Sequence, residues 1–233
     1  MKNGKLLVVV PVYNEEDRIE DTINGLKEIE LIDEILVVND GSTDNTQEVL
    51  ERLNVSFITL NKNMGKGYAM KKAIKEMDYD YIAFVDGDLG SSSRELEKLI
   101  YPVISGEVDF TIAKFPERAT ITHKKGGFGL VKGLAKKGVY FYTKKEINTS
   151  LSGQRVYKKD VMKVMDYIPN RYGIEVAMTI QALDGNFTFK EIPVNMTHRY
   201  TDRSLKGFIH RGKQFIDILV TLIIIGFRRC FRR

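Results

Sequence analysis

The stretch "IAFVDGDLGSSS", residues 82–93, runs an apolar segment directly into two aspartates, Asp86 and Asp88, separated by Gly87. A short apolar run rich in β-branched and aromatic residues and closed by a glycine turn reads as a buried strand. In an extended chain residues i and i+2 share a side. Both carboxylates therefore face one point, and like charges that close call for a cation or a shared proton between them. Acids gathered just past a buried strand fit a parallel sheet, whose ligands bind outside the carboxyl ends of its strands.

Working outward, similar apolar runs at 5–10, 34–39, 55–60 and 108–113 join 81–86 as expected strands. Between them, 15–29, 43–53, 66–77 and 93–104 carry apolar residues at three- and four-residue spacing, which predicts helices. Strand and helix alternating at this pace imply an α/β fold, a mostly parallel, Rossmann-like sheet with helices on both faces. The turns Pro11–Glu15, Asp40–Ser42 and Asp86–Gly90 then share one crevice. Ser42, Thr43 and Asp44 are N-cap candidates, with Gln47 or Glu48 completing a capping box. Beyond 113 the pattern changes. A basic, glycine-rich stretch reads as a mobile loop leading to a helix near 128–142. "LSGQRVY" (151–157) follows, then helices near 158–166 and over "YGIEVAMTIQAL", a strand pair at 187–190 and 194–198, and a long C-terminal helix.

The 233 residues suit one domain, with 43% hydrophobic and 29% charged residues. We divide it into a first half (1–113), a second half (114–203) and a C-terminal helix with basic tail (204–233). The single cysteine, Cys230, excludes an intramolecular disulfide and fits a reducing compartment. "KLLVVV" reads as the first strand and not as a secretory leader, because the polar "YNEED" follows at once. Residues 196–233 carry nine Lys/Arg against two acids, while the whole chain is +5, so anion-seeking surface gathers in the C-terminal part. Nucleic-acid binding is disfavoured, because those cations lie beside an apolar tail without interleaved aromatics. The first turn lacks G-x-G-x-x-G, and "NMGKGY" lacks the rest of a P-loop, which argues against a dehydrogenase and an NTPase.

Four signatures in order, "VVVPVYNEED", "VVNDGSTDNT", "NMGKGYAMKKAI" and "FVDGDLGSS", resemble the nucleotide-sugar-binding half of family 2 glycosyltransferases, which have the GT-A fold. The resemblance implies that Asp40 hydrogen-bonds uracil and that Pro11, Tyr13 and Glu15 flank base and ribose, with Asn14, Gly41 and Gly87 in the same turns. It places Asp86 near ribose and metal, Asp88 on the Mg²⁺ or Mn²⁺ holding the diphosphate, and Lys66 beside the donor. The chemistry agrees: a carboxylate accepts from a base N–H, and a divalent ion stabilises a departing nucleoside diphosphate.

In the second half, "SGQRVYKKD" (Gly153, Gln154, Arg155) resembles the acceptor side of polyprenyl- and dolichyl-phosphate sugar synthases. Arg155 there would bind phosphate bidentately, or be an exposed strand arginine. Glu175 opens a helix, whose dipole would keep it ionised as base, electrostatic stabiliser or acceptor ligand, or as an ordinary first-turn glutamate. "GIEVAM" and "HRYTDR" also resemble the glucosyl-3-phosphoglycerate synthases, which implies His198 as third metal ligand. Arg199 and Arg203 beside it would position a phosphorylated acceptor.

The apolar run 218–227 is too short to span a bilayer, which takes about 20 residues. Followed by Arg228, Arg229, Arg232 and Arg233, it reads as an interfacial anchor, or as a helix buried in the domain or in a homo-oligomer interface. The expectation is a metal-dependent enzyme moving a UDP-linked hexose to a polyprenyl phosphate at the cytoplasmic membrane face. The alternatives are a small phosphorylated acid as acceptor, and a non-catalytic sugar-nucleotide-binding subunit. The last would be expected to have lost part of the acid set, which is intact here.

Overall fold

The computed structural model describes residues 3–116, 128–198 and 205–231. Among the described residues, seven strands form one sheet: β1 (Leu6–Val12), β2 (Glu34–Asn39), β3 (Ser56–Thr59), β4 (Tyr81–Phe84), β5 (Phe110–Lys114), β6 (Arg155–Lys158) and β7 (Phe189–Pro193). Their order is β3-β2-β1-β4-β6-β5-β7. Helices α1 (Ile19–Lys27), α2 (Thr46–Arg52), α3 (Lys66–Glu76) and α4 (Glu97–Ile104), the last preceded by a 3₁₀ turn (Gly90–Leu96), alternate with the first five strands. The second half contributes α5 (Phe128–Thr143), α6 (Lys159–Lys163), α7 (Ile174–Asp184) and α8 (Leu205–Phe231).

The two-residue period sorts β1 between two cores. Leu7 and Val9 point to the side filled by α3, α5, α7 and α8. Leu6, Val8, Val10 and Val12 point to the side filled by α1, α2 and α4. Every residue of β1 is buried, as expected of a strand paired on both edges and covered on both faces. Each such aliphatic side chain withdrawn from water is worth about 1.5–3 kcal/mol.

The pairs β1–β2, β1–β4, β2–β3 and β5–β7 are parallel. Strand β6 is the exception, inserting antiparallel between β4 and β5. One sheet thus spans both halves of the chain. Asp109, just before β5, fastens the added strands. Its carboxylate accepts from the Thr188 N–H (2.8 Å), the Thr188 hydroxyl (2.7 Å) and Lys158 Nζ (2.8 Å).

Three local expectations need correction. The strand pair at 187–190 and 194–198 is one strand, β7, which pairs with β5 and not with a hairpin partner. Residues 194–198 instead run as an irregular strap toward the 3₁₀ turn, where the Asn195 N–H donates to Glu95 and the Thr197 N–H to Ser92 Oγ. The capping box of α2 is replaced by Asp44, which accepts from the Thr46 N–H at 3.1 Å, and by Glu16, which accepts from the Asn45 N–H at 2.9 Å. The helix near 158–166 is the short α6. The basic loop expected before α5 falls largely on residues 117–127, outside the described residues.

Candidate functional site

A cleft of about 730 Å³ opens at the carboxyl ends of β1, β2 and β4. One wall carries Pro11, Tyr13, Asp40, Asn63, Lys66 and Asp86; the other carries Gly153, Arg171, Tyr172, Glu175, Gln214 and Ile218.

The first wall is built by turns braced against one another. Asn14 holds a left-handed conformation (φ 56°). Its N–H donates to Ser42 Oγ at 3.0 Å and its Oδ1 accepts from the Thr43 N–H at 2.8 Å, locking the β1 turn to the β2 turn. The Glu15 N–H donates to Thr46 Oγ1 at 2.9 Å. Gly41 (φ +69°) is tied to glycine on two counts, since a Cβ there would lie 2.5 Å from the Lys62 carbonyl carbon. Asp40 is buried, and its two oxygens accept from the Met64 and Gly65 N–H groups, each at 2.7 Å. This holds the loop that leads into Lys66 at the first position of α3. Tyr13 stands 43% exposed at the rim.

At the centre, Lys66 Nζ donates to Asp86 Oδ1 at 2.6 Å and to Glu175 Oε1 at 3.2 Å, joining the two walls. Gln154 Nε2 donates to the other Asp86 oxygen at 2.6 Å. Burial works against charge on Asp86, but the Lys66 and His198 cations and the hydrogen bonds from Lys66 and Gln154 outweigh it, lowering its pKa. Burial likewise opposes charge on Lys66, and Asp86 and Glu175 overcome it, raising the ammonium pKa. Gly173 (φ 89°) precedes α7, and Glu175 lies in the helix's first turn, facing the cleft.

Asp86, Asp88 and His198 each offer one ligand atom within 4.8 Å of the others. His198 Nδ1 lies 3.1 Å from Asp88 Oδ1, and its ring packs on Phe115. Burial lowers the imidazole pKa, but Asp88 and Asp86 prevail and raise it. Two carboxylates and one imidazole suit a hard divalent ion such as Mn²⁺ or Mg²⁺, so the residues present fit the metal the sequence implies. From behind, α1 grips the Asp86–Asp88 turn. Arg18 donates to the Asp88 carbonyl at 2.9 Å, and the buried Thr22 hydroxyl lies 2.8 Å from both the Gly87 carbonyl and the Gly90 N–H. Gly87 itself faces Val12, whose Cγ1 would lie 2.6 Å from a Cβ.

The expectation for Arg155 needs correction. It is 1% exposed, and its guanidinium donates to the carbonyls of Ser152 and Ser150, to Thr179 Oγ1 and to the Tyr157 hydroxyl. Four of its five N–H donors are used inside the protein and the side chain is buried, so Arg155 braces the loop beneath the cleft and is not presented to a phosphate. Arg199 and Arg203 lie outside the described residues. Sequence reasoning missed Arg171, Tyr172, Asn63 and Gln214 on the cleft, and Arg18 and Thr22 behind it. Arg171 and Tyr172, beside "GIEVAM", and Asn63, which opens "NMGKGYAMKKAI", had a signal.

The model of glycosyl transferase family 2 matches residues 7–165. The chain belongs to that family. Among similar proteins, the undecaprenyl-phosphate 4-deoxy-4-formamido-L-arabinose transferase of Proteus mirabilis is 35% identical over 109 residues, 42% of this chain and 33% of the relative. Glycosyltransferase AglD of Haloferax volcanii is 26% identical over 81% of this chain and 32% of its own length. This chain therefore spans about a third of either. An uncharacterized protein of Methanocaldococcus jannaschii is 29% identical over all of this chain and 92% of its own. Among solved structures, glucosyl-3-phosphoglycerate synthase of Mycobacterium tuberculosis, in complex with Mn²⁺, UDP and phosphoglyceric acid, superimposes with a TM-score of 0.76. The superposition covers 94% of this chain and 77% of that one at 22% identity. The fold is the GT-A fold that the sequence motifs imply.

Proposed function

We propose that this family 2 chain transfers a hexose from a UDP-sugar to a phosphorylated acceptor, with a divalent ion, Mn²⁺ or Mg²⁺, held by Asp86, Asp88 and His198. The observation that carries this reading is that Asp86 belongs both to that ligand set and, with the Lys66–Glu175 pair, to the cleft lined by Pro11, Tyr13 and Asp40. Bound there, the ion would neutralise charge on the departing diphosphate. Tyr13 and Pro11 would face the base and ribose, and Asp40 would shape the base pocket while holding the 64–65 loop. Lys66 would add positive charge beside the diphosphate once the donor draws it from Asp86.

The leading acceptor is a polyprenyl phosphate at the cytoplasmic membrane face, in keeping with the acceptor in the name of the Proteus relative. A phosphate oxygen is already ionised, so no strong base is needed. Arg171 is the described arginine lining the acceptor wall and takes the part expected of Arg155. A second reading, a small phosphorylated hydroxy acid, draws support from Glu175, whose carboxylate faces the cleft where a hydroxyl acceptor would have to lose its proton.

The test is UDP release from a panel of UDP-sugars with Mn²⁺ or Mg²⁺, adding polyprenyl phosphate or 3-phosphoglycerate, with Asp88→Ala alongside. Stimulation by the lipid, lost in the variant, is the expected result. Stimulation by phosphoglycerate alone would transfer the acceptor assignment to the second reading. No UDP release with any donor would remove the proposal.

A further inference from the structure

Helix α8 is apolar on two opposite sides. Ile218, Thr221, Leu222 and Ile225 are buried. They pack toward α5 and α7: the Leu222 side chain fills the space over Gly138, Thr221 sits against Gly173, and the Tyr142 hydroxyl donates to the Leu222 carbonyl at 2.8 Å. At 3.6 residues per turn the opposite side carries Ile216, Leu219, Val220, Ile223, Phe227 and Phe231, exposed by 41–88%. Core packing accounts for the first stripe and not for the second, which runs about 22 Å along the helix. Among the described residues no helix is long and apolar enough to cross a membrane.

The charges flanking the exposed stripe identify its occupant. Lys213 lies near its start, and Lys144 lies over the Tyr140 and Phe141 rings where α5 ends beside α8. Arg228 and Arg229, at its end, turn back onto the protein, where they pair with Asp166 at 3.5 Å and Asp184 at 3.1 Å. In sequence, residues 205–233 hold one acid, Asp217, among Lys206, Arg211, Lys213, Arg228, Arg229, Arg232 and Arg233. If two copies paired through the stripe, this net positive segment would face itself. An apolar stripe bordered by basic residues instead complements acyl chains beneath anionic headgroups.

We infer that the outward stripe of α8 seats the protein on an anionic lipid surface, with the helix lying in the plane of the membrane. Gln214 and Ile218, on the inward side of the same helix, line the cleft, so α8 lies between the cleft and that surface. A lipid-borne acceptor would reach the cleft by passing around α8, and this direction of arrival rests on the proposed lipid acceptor. Docking itself requires no turnover.

The experiment uses the full chain and vesicles of phosphatidylcholine with and without phosphatidylglycerol. The chain should sediment with the anionic vesicles, and Ile223→Glu should weaken binding by about tenfold or more while keeping the native circular dichroism spectrum. Raised salt should weaken it too. Because the chain has no tryptophan, Val220→Trp supplies a single reporter whose emission should shift to the blue and be quenched by brominated lipid. This readout stands even if Ile223→Glu folds poorly. A chain that stays in the supernatant overturns the inference, as does a folded Ile223→Glu that partitions like the parent. A dimer in sedimentation that Ile223→Glu dissolves would give the stripe to a second copy and also overturn it. UDP release with polyprenyl phosphate is measured separately in detergent. Activity there without vesicle binding removes the docking surface alone; vesicle binding without stimulation by the lipid phosphate removes the acceptor reading alone.

Discussion

Gly153 lies directly over Lys66: a Cβ built on the glycine would sit 2.5 Å from Lys66 Nζ and 2.7 Å from Asp86 Oδ2. Both are far ends of side chains, so a methyl group there moves the ion pair and leaves the backbone in place. We expect Gly153→Ala to lower kcat/KM for UDP release by about tenfold or more, about 1.4 kcal/mol or more in the barrier, with little change in Tm. Parental activity in the variant would show that the Lys66–Asp86 geometry is dispensable.

Thr22 reaches no ligand, yet its hydroxyl bridges the Gly87 carbonyl and the Gly90 N–H on either side of Asp88. Thr22→Val keeps the shape and leaves those groups unpaired, a cost of about 1–3 kcal/mol. Mn²⁺ affinity, read by electron paramagnetic resonance of the free ion, should fall about tenfold, and Thr22→Ser should restore it. A purely structural threonine would lower Tm and leave Mn²⁺ affinity unchanged.

Arg155 is 1% exposed, and Thr179, which accepts from it at 2.7 Å, donates in turn to the Glu175 carbonyl at 2.7 Å. Arg155→Met should therefore act on stability, costing about 2–4 kcal/mol in urea unfolding through the unpaired partners. The acceptor KM of the molecules that remain folded should change little. A large rise in acceptor KM at parental stability would return Arg155 to phosphate binding.

Burial works against charge on Asp109, but the hydrogen bonds from Lys158 and Thr188 prevail and hold its carboxyl below the usual range. A carboxyl depressed in the folded state stabilises above the unfolded pKa of about 3.9 and loses that contribution as pH falls through the folded value. Asp109→Asn should therefore lower Tm at pH 7, by the equivalent of about 1–2 kcal/mol. The gap to the parent should close below about pH 4. A gap that does not vary with pH would mean that shape, not charge, is what matters at this position.

By itself the sequence determined the first half of the sheet, the carboxylate pair at the end of β4 and the turns around it. These depend on periods of two and 3.6 and on residues a few places apart, which a one-dimensional pattern records. It also exposed the apolar, basic-tailed last helix. Only the tertiary structure decided that β6 enters antiparallel between β4 and β5, because four residues carry no direction and strand pairing is a contact across the fold. The burial of Arg155 follows from that insertion, since the strand's alternation points its guanidinium at Thr179 and not at the cleft. Proximity of His198 to Asp88, 110 residues apart, was legible only by likeness to other chains; in this one it depends on a strap with no periodicity. Likewise the run 218–227, apolar but for Thr221 and Gly226, divides into a buried and an exposed side only once α5 and α7 cover one of them. Which side of an apolar helix meets protein depends on what else packs there, and that is a property of the assembled core.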